Sequence, residues 1–393
     1  MAGRFPGEDR GDSRFSSGTG FVRLVDMVGW RRGSGLVAGA IVLVLMVSSA
    51  AAVAEGSRMT RLQQGLDSIV AAGATGAAAE VDTGGDRIRA SAGAAEAGST
   101  APVPLDGRFR IGSVTKAFAA TVVLHLVAEN RLGLDDPVGS VLPGVLPYAD
   151  RVTIRQLLDH TSGVPEYLET FPSPRSEEFL DLRWRTWTDA ELVARVAGEP
   201  LSFDPGTTTG YSNTNYLLIG MITERLTGKP YAATLHDRLI GPLALTGTSF
   251  PGTDPTVPGP HAHGYLPIGR DRLVDITELD PSVMGSAGGL ISTTTDVNRF
   301  FGALLGGRLL PALLLTEMRT TVLGSQYGAG LVALPLSCGV TAYGKDGDAP
   351  GYSTWSFGTT RKHVTVSLTW GGGDPGDAVQ AFLDEELCSF GGE

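Results

Sequence analysis

Ser113 and Lys116 are the two residues whose types and spacing point most directly to chemistry. They lie three positions apart in "FRIGSVTKAF", which leads into the apolar run "AATVVLHLVAE". On a helix, residues three apart share a face about one turn from each other. A lysine in apolar surroundings has its ammonium form disfavoured, so its amine could take the proton of the serine hydroxyl. The spacing predicts an activated nucleophile; the alternative is a helix N-cap followed by a surface lysine.

Two further polar stretches carry groups that suit such a nucleophile. "GYSNTNY" places Tyr211 and Asn213 two residues apart, just before the apolar helix "YLLIGMITERL". A phenol can pass on a proton, and a side-chain amide can bind a substrate amide. "YGKDGDAPGYSTW" supplies Lys345, Asp346 and Gly347 at a strand, where glycine lets a substrate backbone come close. The alternatives are a capping Tyr/Asn turn and a charged hairpin edge.

Charge and composition exclude some classes of function. The 393 residues carry a formal net charge of -11, and 42% of them are hydrophobic, so the chain can bury a large core in one domain or two. An acidic protein of this kind is a poor partner for nucleic acid or anionic membranes. His261 and His263 form an H-x-H without a third ligand nearby, so we predict neither a metal nor a cofactor.

Residues 1–54 have the pattern of an export segment. Two adjacent arginines precede an apolar run and small residues that end in "AVA", the form of a signal-peptidase site. The apolar stretch 36–54 is also long enough to span a bilayer, so a cleaved signal peptide and an uncleaved membrane anchor are the alternatives. In both cases the rest of the chain is delivered outside the cytoplasm. We expect a secreted or extracytoplasmic protein whose contact with the membrane is limited to this segment.

Cys338 and Cys388 are the two cysteines of the chain, and both follow the export segment. Outside the cytoplasm an even pair predicts a disulfide. The alternative is two reduced, unrelated thiols.

Hydrophobic periodicity indicates helix and antiparallel sheet at both ends of the exported part. "TGAAAEVD" and "RIRASAG" form one predicted hairpin, "YSTWSFGTT" and "HVTVSLTW" form another, and "GDAVQAFLDEEL" is a closing helix. We therefore predict an α+β domain over residues 55–393. Its α/β part takes in about 55–112 and 302–393, and a mainly helical part of about 113–301 is inserted, with a cleft at the junction.

In order and spacing, the three polar stretches resemble the motifs of the penicillin-recognising serine hydrolases, specifically the D-alanyl-D-alanine carboxypeptidases and class C β-lactamases. The family pattern is Ser-x-x-Lys, then Tyr-x-Asn, then Lys- or His-Thr-Gly. Stretches such as "RQLLDHTSGVP" and "SAGGLISTTTDVNRFF" extend the resemblance over nearly all of residues 55–393. The match is closest to secreted bacterial D,D-carboxypeptidases, and it implies a β-lactamase/transpeptidase-like fold and that group's disulfide for Cys338 and Cys388.

The resemblance implies a role for each residue that matches a family motif, together with a β-lactam adduct at the nucleophile. Ser113 would be the acylated nucleophile, and Lys116 and Tyr211 would transfer protons. Asn213 would bind the amide of the acyl side chain, and Lys345 would support the electrostatic field around Tyr211 and the substrate. The backbone amides of Ser113 and Asp348 would form the oxyanion hole.

The third motif departs from the family pattern. It is Lys-Asp-Gly-Asp here, whereas the closest relatives have His-Thr-Gly-Thr, whose hydroxyls bind the substrate's terminal carboxylate together with an arginine. The arginine position corresponds to Val332, and a usual tryptophan corresponds to Val283. Strand periodicity puts Asp346 and Asp348 on one face, where a substrate carboxylate would lie. We therefore expect discrimination against a substrate with an anionic end.

These features support three functions in decreasing order of preference. The first is an exported serine acyl-enzyme hydrolase that cleaves a small peptide, amide or ester with a neutral or cationic end. The second is a D-alanyl-D-alanine carboxypeptidase that acts on cell-wall peptides. The third is a catalytically silent binding protein that keeps the fold. The G-x-S-x-G signature of the α/β-hydrolases is absent from the sequence.

Overall fold

The computed structural model describes residues 55–269 and 272–389. The predicted export segment, residues 1–54, lies outside the described residues. No helix in the described part of the chain is long and apolar enough to cross a membrane.

An antiparallel sheet of six strands joins the two ends of the domain, as the predicted hairpins required. Its strand order is β2-β1-β10-β9-β8-β7, and β1 of the N-terminal hairpin pairs with β10 of the C-terminal one. Two short sheets, β3-β6 and β4-β5, lie outside it. The strands are β1 (Ala74–Asp82), β2 (Arg87–Gly93), β3 (Phe109–Arg110), β4 (Tyr265–Ile268), β5 (Arg272–Asp275), β6 (Ile291–Ser292), β7 (Val332–Pro335), β8 (Thr341–Ala349), β9 (Tyr352–Gly358) and β10 (His363–Trp370).

Twelve helices are found within the described residues, and most of them lie between β3 and β7. They are α1 (55–71), α2 (Thr115–Ala128), α3 (Val138–Val141), α4 (Ile154–Leu158), α5 (Glu177–Leu182), α6 (Asp189–Ala194), α7 (Asn213–Thr227), α8 (Tyr231–Leu235), α9 (Gly285–Gly288), α10 (Thr294–Leu305), α11 (Ala312–Arg319) and α12 (Gly376–Cys388).

Both faces of the large sheet are covered. Alternating apolar residues of β10, Val364, Val366 and Leu368, pack in one cluster with apolar residues of α1 and α12. The intervening residues of β10, such as Thr365, are also buried, and α10 contacts this strand. Their hydroxyls are paired: Thr365 Oγ1 donates to Asn298 Oδ1 of α10 at 2.7 Å. The sheet is therefore held between the terminal helices and the inserted helical region.

Helix α2 is buried on every side, which sets the environment of the residues it carries. Eleven of its residues are buried, including Phe118, whose ring stacks on Phe300 of α10 at 3.6 Å between centroids. It contacts α7, α8 and α9 as well. A polar side chain on such a helix loses its water whichever way it points, so it needs partners within the protein.

Cys338 and Cys388 are bonded to each other, across a sequence separation of 50 residues. The bond ties the turn between β7 and β8 to the end of α12.

Replacing both cysteines by serine is expected to lower the free energy of unfolding by roughly 4 kcal/mol, because a loop of 50 residues no longer restricts the unfolded chain. Urea unfolding of the double variant and of the oxidised and reduced wild type measures this. Reduced wild type should match the double variant. Equal stability of all three proteins would contradict the expectation.

Candidate active site

Ser113 is carried into the cleft by a tight turn between β3 and α2. The turn is a 3-10 helix over Gly112–Val114. Gly112 has φ +50, and a Cβ there would lie 2.2 Å from the carbonyl oxygen of Asp348, so glycine meets both a conformational and a steric requirement. Just before the turn, the fully buried Arg110 donates to the carbonyl oxygens of Pro255 at 2.6 Å and Thr277 at 3.0 Å. These bonds fix the end of β3.

The structure brings together the serine, the lysine and the tyrosine of the first two motifs. Lys116 Nζ lies 3.0 Å from Ser113 Oγ, and Tyr211 OH donates to the same oxygen at 2.7 Å. Lys116 Nζ also donates to Asn213 Oδ1 at 2.6 Å and to the carbonyl oxygen of Ala287 at 2.8 Å. Residues of α2, α7 and α9 thus meet at the amine of Lys116.

Burial changes the acidity of both groups beside the serine. Lys116 has no exposed surface, and its desolvation, assisted by the charge of Lys345, holds the pKa of its amine well below its ordinary value. Tyr211 is 36% exposed, yet desolvation of its hydroxyl raises the pKa of the phenol well above its ordinary value, against the opposing hydrogen bond to Ser113. An amine that loses its proton more readily than usual and a phenol that keeps its proton more firmly than usual therefore face the same oxygen.

Sequence analysis missed Glu166, which holds Asn213 from the side opposite to Lys116. Its carboxylate accepts from the Asn213 backbone amide and, at 3.1 Å, from Asn213 Nδ2. Desolvation raises the pKa of Glu166 in spite of the donated hydrogen bonds of Asn213 and Leu168. The only sequence signal was its place just after "HTSGVP", in a stretch that the family resemblance covers. The side-chain amide of Asn213 is thus oriented, with its oxygen toward the lysine and its nitrogen toward the carboxylate.

The third motif lies on β8 and forms the opposite wall of the cleft. Lys345, Asp346, Gly347 and Asp348 all line it, together with Ser113 and Tyr211. The two carboxylates are not equivalent, which the strand pattern did not predict. Lys345 Nζ donates to Asp346 Oδ1 at 2.8 Å.

The ion pair gives the two carboxylates opposite pKa shifts. Desolvation acts to raise the pKa of Asp346, but the charge and hydrogen bond of Lys345 outweigh it, and the pKa is lowered. Desolvation, assisted by the charge of Asp346, raises the pKa of Asp348 against a hydrogen bond from Ser353. Both carboxylates line the cleft, but Asp346 is paired with Lys345, whereas no lysine is hydrogen-bonded to the exposed Asp348 within the described residues.

The backbone of strand β8 packs directly against the turn that carries Ser113, with no room for a side chain between them. A Cβ on Gly347 would lie 2.6 Å from the amide nitrogen of Ser113 and 2.3 Å from the carbonyl oxygen of Ile111. Gly112, in turn, faces the backbone of Asp348. The two amides predicted for an oxyanion hole, those of Ser113 and Asp348, therefore belong to segments in direct contact.

The cleft has a volume of about 370 Å³, and its remaining wall is formed largely by Tyr167, Leu168, Met284 and Tyr327. Tyr327 is a second residue that sequence analysis missed. Val283 and Val332, which the family resemblance aligned with a tryptophan and an arginine, are not among the residues that line the cleft. Within the described residues, no group of three or more His, Cys, Asp or Glu side chains could hold a metal ion. The reactive groups that line this cleft include the hydroxyl of Ser113, the phenol of Tyr211 and the carboxylates of Asp346 and Asp348.

Gly347→Ala is expected to slow acylation of Ser113 by a serine-directed fluorophosphonate at least about 100-fold, because β8 must move away from the serine turn and separate the two amides. The same crowding should cost about 1–3 kcal/mol in the free energy of unfolding. Labelling rate and thermal unfolding measure the two effects. Gly198→Ala is the matched control, because its Cβ meets nothing within 4 Å. Labelling of Gly347→Ala at the control's rate would refute the argument.

Comparison with known proteins identifies the family to which the chain belongs. The sequence matches the family described as Beta-lactamase over residues 61–386. It is 30% identical over 320 residues to penicillin-binding protein 4 of Amycolatopsis lactamdurans, with 76% of this chain and 81% of that protein covered. It is 36% identical over 177 residues to esterase EstB of Burkholderia gladioli, with 42% of this chain and 44% of that protein covered.

Two solved structures share the fold over most of the domain. A D-stereospecific amidohydrolase from Streptomyces sp. superposes with a TM-score of 0.78 at 38% identity, with 85% of this chain and 99% of that one covered. A D-amino acid amidase from Ochrobactrum anthropi SV3 superposes with a TM-score of 0.74 at 29% identity, with 84% and 98% covered. This chain therefore belongs to the Beta-lactamase family of serine hydrolases, which confirms the family resemblance and the α+β fold that its motifs predicted.

Proposed function

We propose that this protein is an exported serine amidohydrolase that forms an acyl-enzyme on Ser113 and prefers substrates without a carboxylate at the leaving-group end, such as D-amino acid amides and esters. The observation that carries the proposal is the position of Ser113 Oγ, 3.0 Å from Lys116 Nζ and 2.7 Å from Tyr211 OH, in a cleft whose opposite wall is acidic.

The hydrogen bonds around Lys116 support one direction of proton transfer, from Ser113 to a neutral amine. A neutral amine has two N–H bonds and one lone pair. The oxygens of Asn213 and Ala287 take the two N–H bonds, so the lone pair is directed at Ser113 Oγ. Ser113 gives its proton to Lys116 as its oxygen attacks the substrate carbonyl carbon. The backbone amides of Ser113 and Asp348 receive the carbonyl oxygen as it becomes negative.

Tyr211 is placed to complete the reaction. Its phenol is protonated and donates to Ser113 Oγ in the unliganded protein. As the tetrahedral intermediate collapses, Tyr211 gives that proton to the leaving nitrogen or oxygen and recovers one from Lys116. Water then attacks the acyl-enzyme, the same pair takes its proton, and Ser113 is released.

The charges of the cleft favour a neutral or cationic leaving group. Lys345 is the cation that could meet a terminal carboxylate, and it is already paired with Asp346. Asp348 is exposed beside it and would repel an anion, whereas it can accept a hydrogen bond from an amide NH₂ or an ammonium group. The altered Lys-Asp-Gly-Asp motif is therefore the basis for the proposed substrate class.

The acyl end combines a polar and an apolar wall. Asn213, which the half-buried carboxylate of Glu166 holds, lines the cleft together with the apolar side chains of Leu168 and Met284. This end suits an amino acid with an apolar side chain. We include the D configuration because the amidohydrolase and amidase with similar structures are described as D-stereospecific and as acting on D-amino acids.

A D-alanyl-D-alanine carboxypeptidase is the second candidate. The similarity to penicillin-binding protein 4 favours it, and it makes a β-lactam adduct at Ser113 an expected property. The bonded cysteines favour export under either candidate, because disulfides persist outside the reducing cytoplasm.

Wild-type protein incubated with D-phenylalanine methyl ester or with a penicillin should gain the mass of one acyl group, and Ser113→Ala should gain none. Ammonia release from D-phenylalanine amide should fall to background in the same variant. Ser212→Ala is a suitable control, because this serine adjoins Tyr211 and its hydroxyl donates to the carbonyl oxygen of Pro165. Absence of both adduct and turnover in wild type would leave a silent binding protein as the function.

Asp348→Asn should make the protein more active on substrates with a terminal carboxylate. We expect kcat/KM for a D-alanyl-D-alanine peptide to rise about tenfold relative to that for D-phenylalanine amide, because one exposed negative charge is removed. The ratio of the two values measures this independently of total activity. Asp374→Asn, at an exposed turn, is the control. An unchanged ratio, or wild type that already prefers the peptide, would favour the carboxypeptidase.

A further inference from the structure

We propose that His160 is the positioning residue of Tyr211: its buried imidazole ring forms the surface against which the phenol is held on Ser113 Oγ and kept from water. This inference rests on the proposed function, in which Tyr211 transfers the proton. No motif singled out His160 for chemistry, and its ring lies behind the reacting atoms, where a substrate does not reach.

The contact between the two rings is extensive. Their centroids lie 4.3 Å apart with an angle of 28° between the planes, which is a stacked arrangement. His160 is 2% exposed, and it also contacts the rings of Tyr216 at 5.4 Å and Tyr327 at 5.5 Å. These rings hold His160 in place against Tyr211, and Tyr327 also contacts Tyr211 directly, at 5.8 Å between centroids. Movement of the phenol toward His160 is therefore blocked.

The backbone next to the phenol is fixed by the same imidazole. The amide nitrogen of Ser212 donates to His160 Nδ1 at 3.2 Å, and Ser212 directly follows Tyr211. Because Nδ1 accepts, the proton of the neutral ring lies on Nε2. His160 has φ +63, a conformation that Asn, Asp and His adopt more readily than other residues with a side chain. The position thus requires a ring, an acceptor and a left-handed backbone together.

The surroundings keep His160 uncharged. Desolvation, followed by the charges of Lys116 and Lys345, holds the pKa of its imidazole well below its ordinary value. A neutral ring adds no positive charge beside the amines of Lys116 and Lys345. It also excludes water from Tyr211, and desolvation is the main cause of the raised pKa of that phenol. The titratable groups that act on Tyr211 from the elements around it are Lys116, Glu166, Tyr327, Lys345 and Asp346.

His160→Asn tests the role of the ring, because asparagine keeps an acceptor and tolerates the left-handed backbone but removes the stacking surface. We expect kcat on a D-phenylalanine ester to fall about 100-fold, the effect of displacing a reacting group by about 1 Å, with little change in KM. Wild type should stay active up to about pH 10, since the phenol remains protonated. The variant should lose activity as pH rises toward 10, because water now reaches the phenol and lowers its pKa.

A second readout does not depend on turnover. Tyrosinate absorbance, taken as the difference between each protein and its own Tyr211→Phe version, follows Tyr211 alone. This signal should appear at lower pH in His160→Asn than in wild type. A shifted signal in a protein without hydrolase activity would refute the proposed function and leave the positioning role intact. An unshifted signal with normal kcat would overturn the positioning role.

Two variants separate positioning from stability. His160→Phe keeps a ring against Tyr211 and should retain both the high-pH activity and the late tyrosinate signal, despite a cost in stability. If it behaves like His160→Asn, the ring is not the cause. His363→Asn removes another buried imidazole, one with a pKa lowered to about 4, and it should change thermal stability without moving the pH profile. Equal pH shifts in this variant and His160→Asn would overturn the inference.

Discussion

The burial of one amine is the constraint on which this molecule depends. Lys116 has no exposed surface, and a charged ammonium there would pay a desolvation cost that a neutral amine avoids. The surrounding helices supply two acceptors, from Asn213 and Ala287, rather than a carboxylate in direct contact. A carboxylate at that distance would have restored the charge and removed the lone pair. The burial of α2 on all sides therefore favours the uncharged form of this amine, and the neighbouring helices orient it.

The cleft exists because two parts of the fold meet at Ser113. The inserted helices bring Tyr211 and Asn213, while the large sheet brings β8. The meeting is close enough that glycine is required on both sides, at Gly112 and Gly347, where a Cβ would lie under 3.0 Å from backbone atoms of the other segment. Both glycines are therefore required by the close approach of the other segment, and Gly112 is also required by the positive φ of its own turn. Crowding at this junction keeps the turn of Ser113 in direct contact with β8, which carries Asp348.

Sequence alone predicted the parts of the structure that depend on local pattern. The alternation in "HVTVSLTW" correctly predicted strand β10. The spacing of Ser113 and Lys116 correctly predicted that their side chains lie on the same side of the turn and helix. The residues that contact and orient the motif residues are brought near them only by the tertiary fold, so no spacing in the sequence predicts them. Glu166 and His160 lie about fifty residues before the groups they hold, in a loop whose own composition is that of an ordinary turn. The pairing of Lys345 with Asp346 was missed for a different reason: strand alternation places neighbouring side chains on opposite faces, but a lysine is long enough to bend back.

The first two motifs lie on the helical part of the fold, whereas the third lies on β8 of the large sheet. This separation explains how the third motif can differ from the family pattern while the first two remain intact. The hydrogen bonds that orient Lys116 come from α7 and α9, so a substitution on β8 leaves them in place. Charge on β8 acts on Lys116 only at longer range, and there the opposite charges of Lys345 and Asp346 act in opposite directions on its pKa. The ion pair therefore limits the effect of the Asp346 carboxylate on Lys116, while Asp348, which has no lysine hydrogen-bonded to it, is exposed to the cleft. The altered motif is thus compatible with the intact first two motifs, and under the proposed function it suits a leaving group without a carboxylate.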